Sequence, residues 1–158
     1  MAGKNKKKKN TEGAFATNRK ARHEYHLLEK MEAGLVLQGT EVKSIRQSQV
    51  SIQEAYIQID DAMQAWLVGA TIQPYDHGNQ FNHSPSRDRK LLLHRKEIVR
   101  LYGKIREKGL TIVPLKMYPQ RGKIKLQIAL AQGKNVVDKR ETLRRREADR
   151  DARRAMRF

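Results

Sequence analysis

The sequence contains no cysteine among its 158 residues. Disulfide scaffolds and cysteine-based zinc sites are therefore excluded, and the absence suits a reducing cytoplasm. The chain also lacks an apolar run of about 18 residues, a signal-peptide pattern and a basic helix with a strong apolar face. We therefore expect a cytoplasmic protein that does not associate with a membrane.

Acidic residues are few: the chain has 17 Asp and Glu but 34 Lys and Arg, which gives a formal net charge of +17. Self-repulsion at this charge opposes compaction, so a polyanionic partner is the simplest explanation. Acidic lipid could also attract such a chain, but no segment has the amphipathic pattern that a membrane surface requires. With 38% apolar residues the chain can build one core, and part of it must lie outside that core.

The N-terminal segment, residues 1–13, is rich in lysine and has almost no apolar residue. It cannot offset the entropy cost of becoming ordered, so we expect a disordered basic arm. A solubilising arm, a phosphate-binding arm and a nuclear localisation signal share this composition. Composition alone does not separate these three roles.

The C-terminal segment, residues 133–158, is a second basic region, in which neither Gly nor Pro follows Gly133. A helix is therefore allowed, and Asp138 with Glu141 is a candidate N-cap pair. Such a helix has few apolar residues and is marginal in water, so we expect a tail that is disordered when free and helical against RNA. One face of the helix would carry Arg146, Arg150, Arg153 and Arg157.

Residues 14–132 hold the globular domain, because several segments alternate apolar and polar residues as half-buried strands do. The clearest is Lys123–Leu130, and Pro114 is expected at a sheet edge or a bulge since it lacks an N–H. Trp66, Val68, Ala70 and Ile72 are expected to share one face of a strand. The remaining predicted strands are Tyr25–Leu37, Val50–Ile59 with one slip of phase at a bulge, and Leu110–Leu115.

Two helices are predicted between these strands. Thr40–Arg46 is a short helix with Thr40 as its cap, and His94–Lys108 is a longer one that Gly109 ends. Short antiparallel strands with a helix between them indicate a mainly β protein with added helices. We predict an oligonucleotide-binding-type antiparallel β-barrel with basic, disordered termini.

Catalytic motifs are missing from the sequence: we find no nucleophile elbow, phosphate-binding glycine loop or deaminase signature. His23 and His26 would point to opposite faces of a strand, and His77, His83 and Asp76 form only a weak loop group. We expect no metal, no cofactor and no catalysis. An RNA-binding module is the first hypothesis, a general translation protein such as an initiation-factor-like barrel or ribosomal protein the second, and an RNA-cleaving enzyme the third.

Four strings of residues carry a resemblance to a known family. They are Asn18-Arg19-Lys20-Ala21, Leu37-Gln38-Gly39-Thr40-Glu41-Val42-Lys43-Ser44, Arg87-x-Arg89-Lys90-Leu91-Leu92-Leu93 and Asp138-Lys139-Arg140. In type, order and spacing these strings resemble the signature segments of the small protein B family, the SsrA-binding proteins. The resemblance covers residues 16–140. Asn135 and Val137 depart from the basic or aromatic residues common there, and Ala155 and Met156 from a larger apolar pair.

The resemblance implies an oligonucleotide-binding barrel that binds the tRNA-like domain of transfer-messenger RNA and delivers it to stalled ribosomes for trans-translation. It also implies that the C-terminal tail enters the empty mRNA channel near the decoding centre of the small subunit. We expect a monomer that acts without a cofactor.

The resemblance also nominates site residues, each with a structural alternative. A carboxylate is repelled by phosphate, so Glu32 would accept from a base edge or order nearby cations. Gly34 would permit a close backbone approach, His94 could be only a helix cap, and Leu91–Leu93 could be core. The expected RNA contacts are Asn18, Arg19, Lys20, Arg22, Glu32, Lys43, Arg87, Arg89, Lys90, Leu92 and His94. The expected ribosome contacts of the tail are Lys134, Asp138, Lys139, Arg140, Arg144, Arg145 and Met156.

Overall fold

The structure is a computed structural model that describes residues 13–76, 82–134 and 136–155, without the side chains of Lys108 and residues 136–142. The predicted arm, apart from Gly13, lies outside these residues. The strands are β1 Ala16–Thr17, β2 Tyr25–Leu35, β3 Val50–Ser51, β4 Tyr56–Ile59, β5 Ala65–Val68, β6 Thr71–Ile72, β7 Arg89–Leu92, β8 Thr111–Gln120 and β9 Lys123–Gly133. The helices are α1 Arg19–Glu24, α2 Gly39–Arg46, α3 Arg95–Lys108 and α4 Val136–Ala155.

Six strands form a closed antiparallel ring in the order β8-β4-β5-β7-β2-β9, and β9 returns to pair with β8. Strand β1 adds to β8, and β3 pairs with β6 in a separate two-stranded sheet. The prediction of a mainly β protein with added helices is confirmed. The ring brings β2, β7 and β9 side by side, although they are far apart in sequence.

The strand β9 has the predicted alternation, since Ile124, Leu126, Ile128 and Leu130 are all buried inside the ring. The opposite face is covered at its C-terminal end by α1. There Ala21 packs on a second apolar cluster made by Val113, Leu115, Ala129 and Ala131. These small side chains let the helix lie close to the sheet, so the ring has one core inside and a smaller one beneath α1.

Helix α1 was not predicted, because its six residues are mostly charged and show no apolar period. Pro114 has the predicted setting, since the register between β8 and β9 shifts between Pro114 and Lys116, as at a bulge. Strand β2 extends over most of its predicted range, and β8 is longer than Leu110–Leu115.

Two predicted strands are broken in the structure. Val50–Ile59 is divided into β3 and β4 by a turn in which the Ala55 N–H donates to the Ile52 carbonyl at 3.2 Å. The prediction of one bulged strand is therefore wrong.

The second broken strand is the one predicted from Trp66, Val68, Ala70 and Ile72. It is divided into β5 and β6 at Gly69, where the buried face of the chain changes. Gly69 has a φ of 84°, and a Cβ there would lie 2.9 Å from the Glu54 carbonyl oxygen. Only glycine fits this turn. As a result Leu67 is buried while Trp66 and Val68 are half-buried on the other face, contrary to the predicted face.

Helix α2 begins after Gln38, whose N–H donates to the Glu41 Oε1 at 2.9 Å. The prediction of Thr40 as the cap is wrong, because the Thr40 hydroxyl contacts the His83 Nδ1 at 2.8 Å instead. Helix α3 is confirmed, with His94 at its N-cap and Gly109 in the left-handed conformation at its C-cap.

Helix α4 lies within the C-terminal basic region. It begins at Val136, so Asp138 lies in the first turn and is not the predicted cap. The side chains of residues 143–155 are all exposed. None of the helices in the described ranges is long and apolar enough to cross a membrane.

Candidate nucleic-acid interface

A groove with a volume of about 710 Å³ lies where β2, β7, β9 and the start of α3 meet. We call it the β2–β7 groove. Four predicted RNA contacts line it: Glu32 of β2, and Lys90, Leu92 and His94 from the single segment that runs from β7 to the start of α3. Lys125 of β9, which was not predicted, adds a further cation. The pairing of β2 with β7 on one side and with β9 on the other brings these residues together.

Gly34 and Leu92 set the shape of this groove. They are partners across β2 and β7, and a Cβ on Gly34 would lie 3.2 Å from the Leu92 Cβ. The predicted close approach at Gly34 is therefore present. Leu92 is 54% exposed, whereas Leu91 is buried. An exposed apolar side chain among cations is suited to pack on a base or a ribose.

Glu32 is held at the edge of the groove by neutral donors. Its carboxylate accepts from the Tyr118 hydroxyl, and the Gln120 amide, turned so that its nitrogen faces the carboxylate, donates at 2.8 and 2.9 Å. Burial and then the hydrogen bond to Glu32 raise the pKa of the Tyr118 hydroxyl, which keeps it protonated as a donor. Glu32 remains exposed and can accept from a base edge as expected.

A second groove of about 430 Å³ lies between α1, the strands β8 and β9, and α4. We call it the α1–β8 groove. Arg19 and Arg22, both predicted RNA contacts, line it together with Lys116 and Arg146, and no carboxylate takes part. Lys116 and Arg146 could not be assigned to this site from sequence, since only the fold places β8 and α4 beside α1.

Asn18 is not positioned to contact a base. Its side chain is buried, its Oδ1 accepts from the Ala21 N–H at 3.2 Å, and its Nδ2 donates to the Pro114 carbonyl at 2.9 Å. Asn18 therefore caps α1 and ties it to the bulge of β8, which corrects the prediction. The neighbouring Lys20 is exposed and forms an ion pair of 2.7 Å with Glu54.

Arg89 is likewise a structural residue. Its side chain is fully buried, and its Nε donates to the Glu41 Oε2 at 2.6 Å. Its other nitrogens donate to the carbonyls of Ala70, Ser84 and Pro85 at 3.1 to 3.2 Å. The prediction that Arg89 contacts RNA is wrong for this structure, because none of these donors faces the surface.

Arg87 completes the same buried cluster. It is half-buried and pairs with Glu41. Burial alone would raise the pKa of the Glu41 carboxyl, but the Gln38 N–H and the two guanidinium groups together hold this pKa below its ordinary value. The cluster joins α2 to β7 and so positions Lys90 and Leu92 in the groove.

His83 supports the same region from the loop before β7. It is buried, and its Nε2 lies 2.9 Å from the Ile72 carbonyl oxygen, which can only accept. The Nε2 therefore donates to this carbonyl, and the Nδ1 and the Thr40 hydroxyl form a second hydrogen bond of 2.8 Å. In the part of the chain that the structure covers, no three His, Asp or Glu residues could hold a metal ion.

Lys43 and Lys134 lie outside both grooves. The Lys43 ammonium is 5.3 Å from the centre of the Tyr75 ring. The Lys134 N–H donates to the Glu24 carbonyl at 2.8 Å, and its Nζ donates to the Arg22 carbonyl at 3.2 Å. Lys134 thus fixes the start of the tail at the C-terminal end of α1.

The other predicted tail contacts divide into two groups. Arg144 and Arg145 are exposed on α4. The side chains of Asp138, Lys139 and Arg140, and the whole of Met156, lie outside the described residues.

Comparison with known proteins gives a consistent result. A family model described as SmpB protein matches residues 15–158. An SsrA-binding protein of Carboxydothermus hydrogenoformans is 51% identical over 146 residues, which is 92% of this chain and 97% of the relative. An SsrA-binding protein of Desulforamulus reducens is 51% identical over 154 residues, 95% of each chain.

A solved structure described as tmRNA-SmpB, in connection with the center of the bacterial ribosome, has a similar fold. The TM-score is 0.62 at 46% identity, and the match covers 76% of this chain and 84% of that one. Together with the family model, which spans almost the whole sequence, these matches lead to one assignment. The chain belongs to the SmpB protein family.

Proposed function

We propose that this protein binds the tRNA-like domain of transfer-messenger RNA and delivers the RNA to stalled ribosomes for trans-translation. The convergence of Glu32, Lys90, Leu92 and His94 in one exposed groove supports this function most directly. The SsrA-binding names of its relatives and the tmRNA-SmpB description of its structural neighbour support it as well. The protein acts in the cytoplasm as a monomer, by binding and not by catalysis.

The β2–β7 groove has the chemistry to hold an unpaired nucleotide. Leu92 offers an apolar surface to a base or a ribose, and Glu32 accepts from base donors. Lys90 and Lys125 line the same groove and can hold the flanking phosphates. The combination favours a folded RNA with splayed bases over a regular duplex.

The tail is proposed to have a further role on the ribosome. A helix of 20 residues is about 30 Å long, enough to extend into a channel in the ribosome. We propose that the tail is disordered when free and becomes helical in the mRNA channel near the decoding centre. Its exposed arginines would be neutralised there by ribosomal RNA.

Recovery of the protein from cells, followed by sequencing of the bound RNA, tests the proposed function. One dominant RNA with a tRNA-like domain is expected. A broad mixture, or bulk ribosomal RNA alone, would indicate a general translation protein instead. Incubation with labelled RNA checks the absence of catalysis, since cleavage products would contradict a pure binding role.

A further inference from the structure

We propose that the α1–β8 groove is a phosphate site shared by the body and the tail, so that RNA bound to the body also seats α4. The inference rests on the proposed RNA binding and adds a link between two parts of the protein. The ligand is a phosphate of the RNA backbone, held between Arg19 and Arg22 of α1, Lys116 of β8 and Arg146 of α4.

The path of the chain brings α4 to this groove. The tail starts beside the C-terminal end of α1, where Lys134 is bonded to the carbonyls of Arg22 and Glu24. Arg146, inside α4, lines the groove together with Arg19 at the opposite end of α1. Helix α4 therefore runs back past α1, and its docked position depends on what fills the space between them.

The charges of the groove favour an anion in that space. Among the described residues, none of the four cations forms an ion pair, whereas the nearby Lys20 pairs with Glu54. The Lys116 ammonium lies 5.3 Å from the Tyr118 ring, a contact that does not neutralise it. Four cations without a counter-charge repel each other, so the docked helix is disfavoured until an anion binds.

The lining indicates a phosphate more than a base. Leu115 is buried, no aromatic ring lines the groove, and the remaining polar side chains near the cations are those of Thr17, Asn18 and Gln127. Guanidinium groups bind phosphate through charge-assisted hydrogen bonds, and such contacts carry no sequence information. The groove would therefore hold the RNA backbone while the β2–β7 groove reads the nucleotide.

Helix α4 is only weakly stabilised by packing, so one shared phosphate can decide its position. All side chains of residues 143–155 are exposed, so packing contributes little to the stability of this part of α4. Ordering the tail also costs conformational entropy, which offsets most of the gain from the added contact. The expected effect on RNA affinity is accordingly small. A measurement of the position of the tail therefore tests the proposal better than a measurement of affinity does.

The absence of cysteine allows a direct test in the full-length protein. Spin labels on Gln58→Cys in β4 and Ala155→Cys at the end of α4, both exposed positions, report the distance between body and tail. A broad distance distribution is expected for the free protein, and one narrow peak when the tRNA-like domain of transfer-messenger RNA is added. Arg146→Ala should lose the narrow peak, and Arg154→Ala, on the same helix outside the groove, should keep it.

RNA binding is measured in the same samples by filter retention, which separates the two proposals. If RNA binds and the distribution stays broad, or if Arg146→Ala keeps the narrow peak, the shared site is refuted and the proposed function stands. If no RNA binds, both are refuted. A narrow peak in the free protein would also refute the shared site, because the tail would then be seated without an anion.

Discussion

The Arg89 Nε donates to the Glu41 Oε2 at 2.6 Å, and both side chains are completely buried. This bond joins helix α2 to strand β7 beneath the proposed RNA-binding surface. Along β7 the residues alternate, so that Arg89 and Leu91 face inward while Lys90 and Leu92 line the groove. The buried pair therefore helps to position the groove residues Lys90 and Leu92.

Glu41→Gln should destabilise the fold strongly. The substitution leaves the buried Arg89 guanidinium without its counter-charge, and breaking one half of such a pair costs about 3–5 kcal/mol. Chemical denaturation at neutral pH measures the loss in the free energy of unfolding. Glu54→Gln, which breaks the exposed pair with Lys20, is the matched control and should change little. Equal effects of the two substitutions would contradict the buried role.

Stability should also fall in acid because of Glu41. The folded state holds the pKa of this carboxyl below the ordinary value of 4.5. Its contribution is therefore complete above pH 4.5 and is lost as the pH falls through the lowered folded pKa. Thermal unfolding measured from pH 7 downward should decline less steeply in Glu41→Gln.

A residual acid dependence is expected in that variant. The pKa of Glu29 is lowered by its bond from Arg100, and the pKa of Asp60 is lowered by the N–H of Gln64 and the Trp66 indole. Identical pH profiles for the variant and the parent protein would show that Glu41 does not contribute.

Leu92→Ala should weaken RNA binding and leave the fold intact. Leu92 is 54% exposed, so little buried area is lost, but a base packed on it loses about 1 kcal/mol, the low end of the range for aromatic stacking, or roughly fivefold in affinity. Titration with the tRNA-like domain measures the change. Val99→Ala, an exposed apolar residue of α3 outside both grooves, is the control, and an equal loss there would place the base elsewhere.

Neutralising Lys139 and Arg140 together should separate RNA binding from ribosome rescue. The affinity for free transfer-messenger RNA should be unchanged, and tagging on stalled ribosomes should be abolished. The two readouts are a binding titration and a tagging assay in a purified translation system. Neutralising Lys96 and Arg106 of α3 is a control of equal charge. Collapse of RNA affinity in the tail variant would mean that the tail does not act separately.

Neutralising Arg19 and Arg22 should reduce the salt dependence of RNA binding. Each lost phosphate contact lowers the slope of log affinity against log salt by roughly 0.7–0.9. Binding measured over a range of potassium chloride concentrations gives the slope. An unchanged slope would show that the two arginines lie away from phosphate.

The strands with one polar face could be predicted from the sequence, and the short or charged elements could not. In β9 the alternation of Ile124, Leu126 and Ile128 with polar residues follows directly from the pleat of a half-buried strand. Strand β7 was missed because its first inward residue is Arg89, which satisfies its charge through Glu41. The change of face at Gly69 was missed because a local turn overrides the alternation.

Only part of the candidate site could be predicted from the sequence. The resemblance supplied Glu32, Lys90 and Leu92, which the structure brings to one groove. It could not tell which motif residues serve the fold, so Asn18 and Arg89 were assigned to RNA. Nor could it place Lys116 or Arg146, whose proximity depends on strand pairing and on the direction of α4.

The pairing of β9 with β8 has a consequence for the protein when it is covered by RNA. Bound polyanion cancels the mutual repulsion that keeps such basic molecules apart. Because the ring closes on itself, each of its six strands has a partner on both sides over at least part of its length, which limits the backbone edge to which a neighbouring molecule could add a strand. Over Tyr25–Ala33, β2 pairs with β9 alone, and helix α3 lies beside that stretch, where Arg100 and Lys104 pair with Glu29. The architecture thus guards against fibre formation in the state where charge no longer does so.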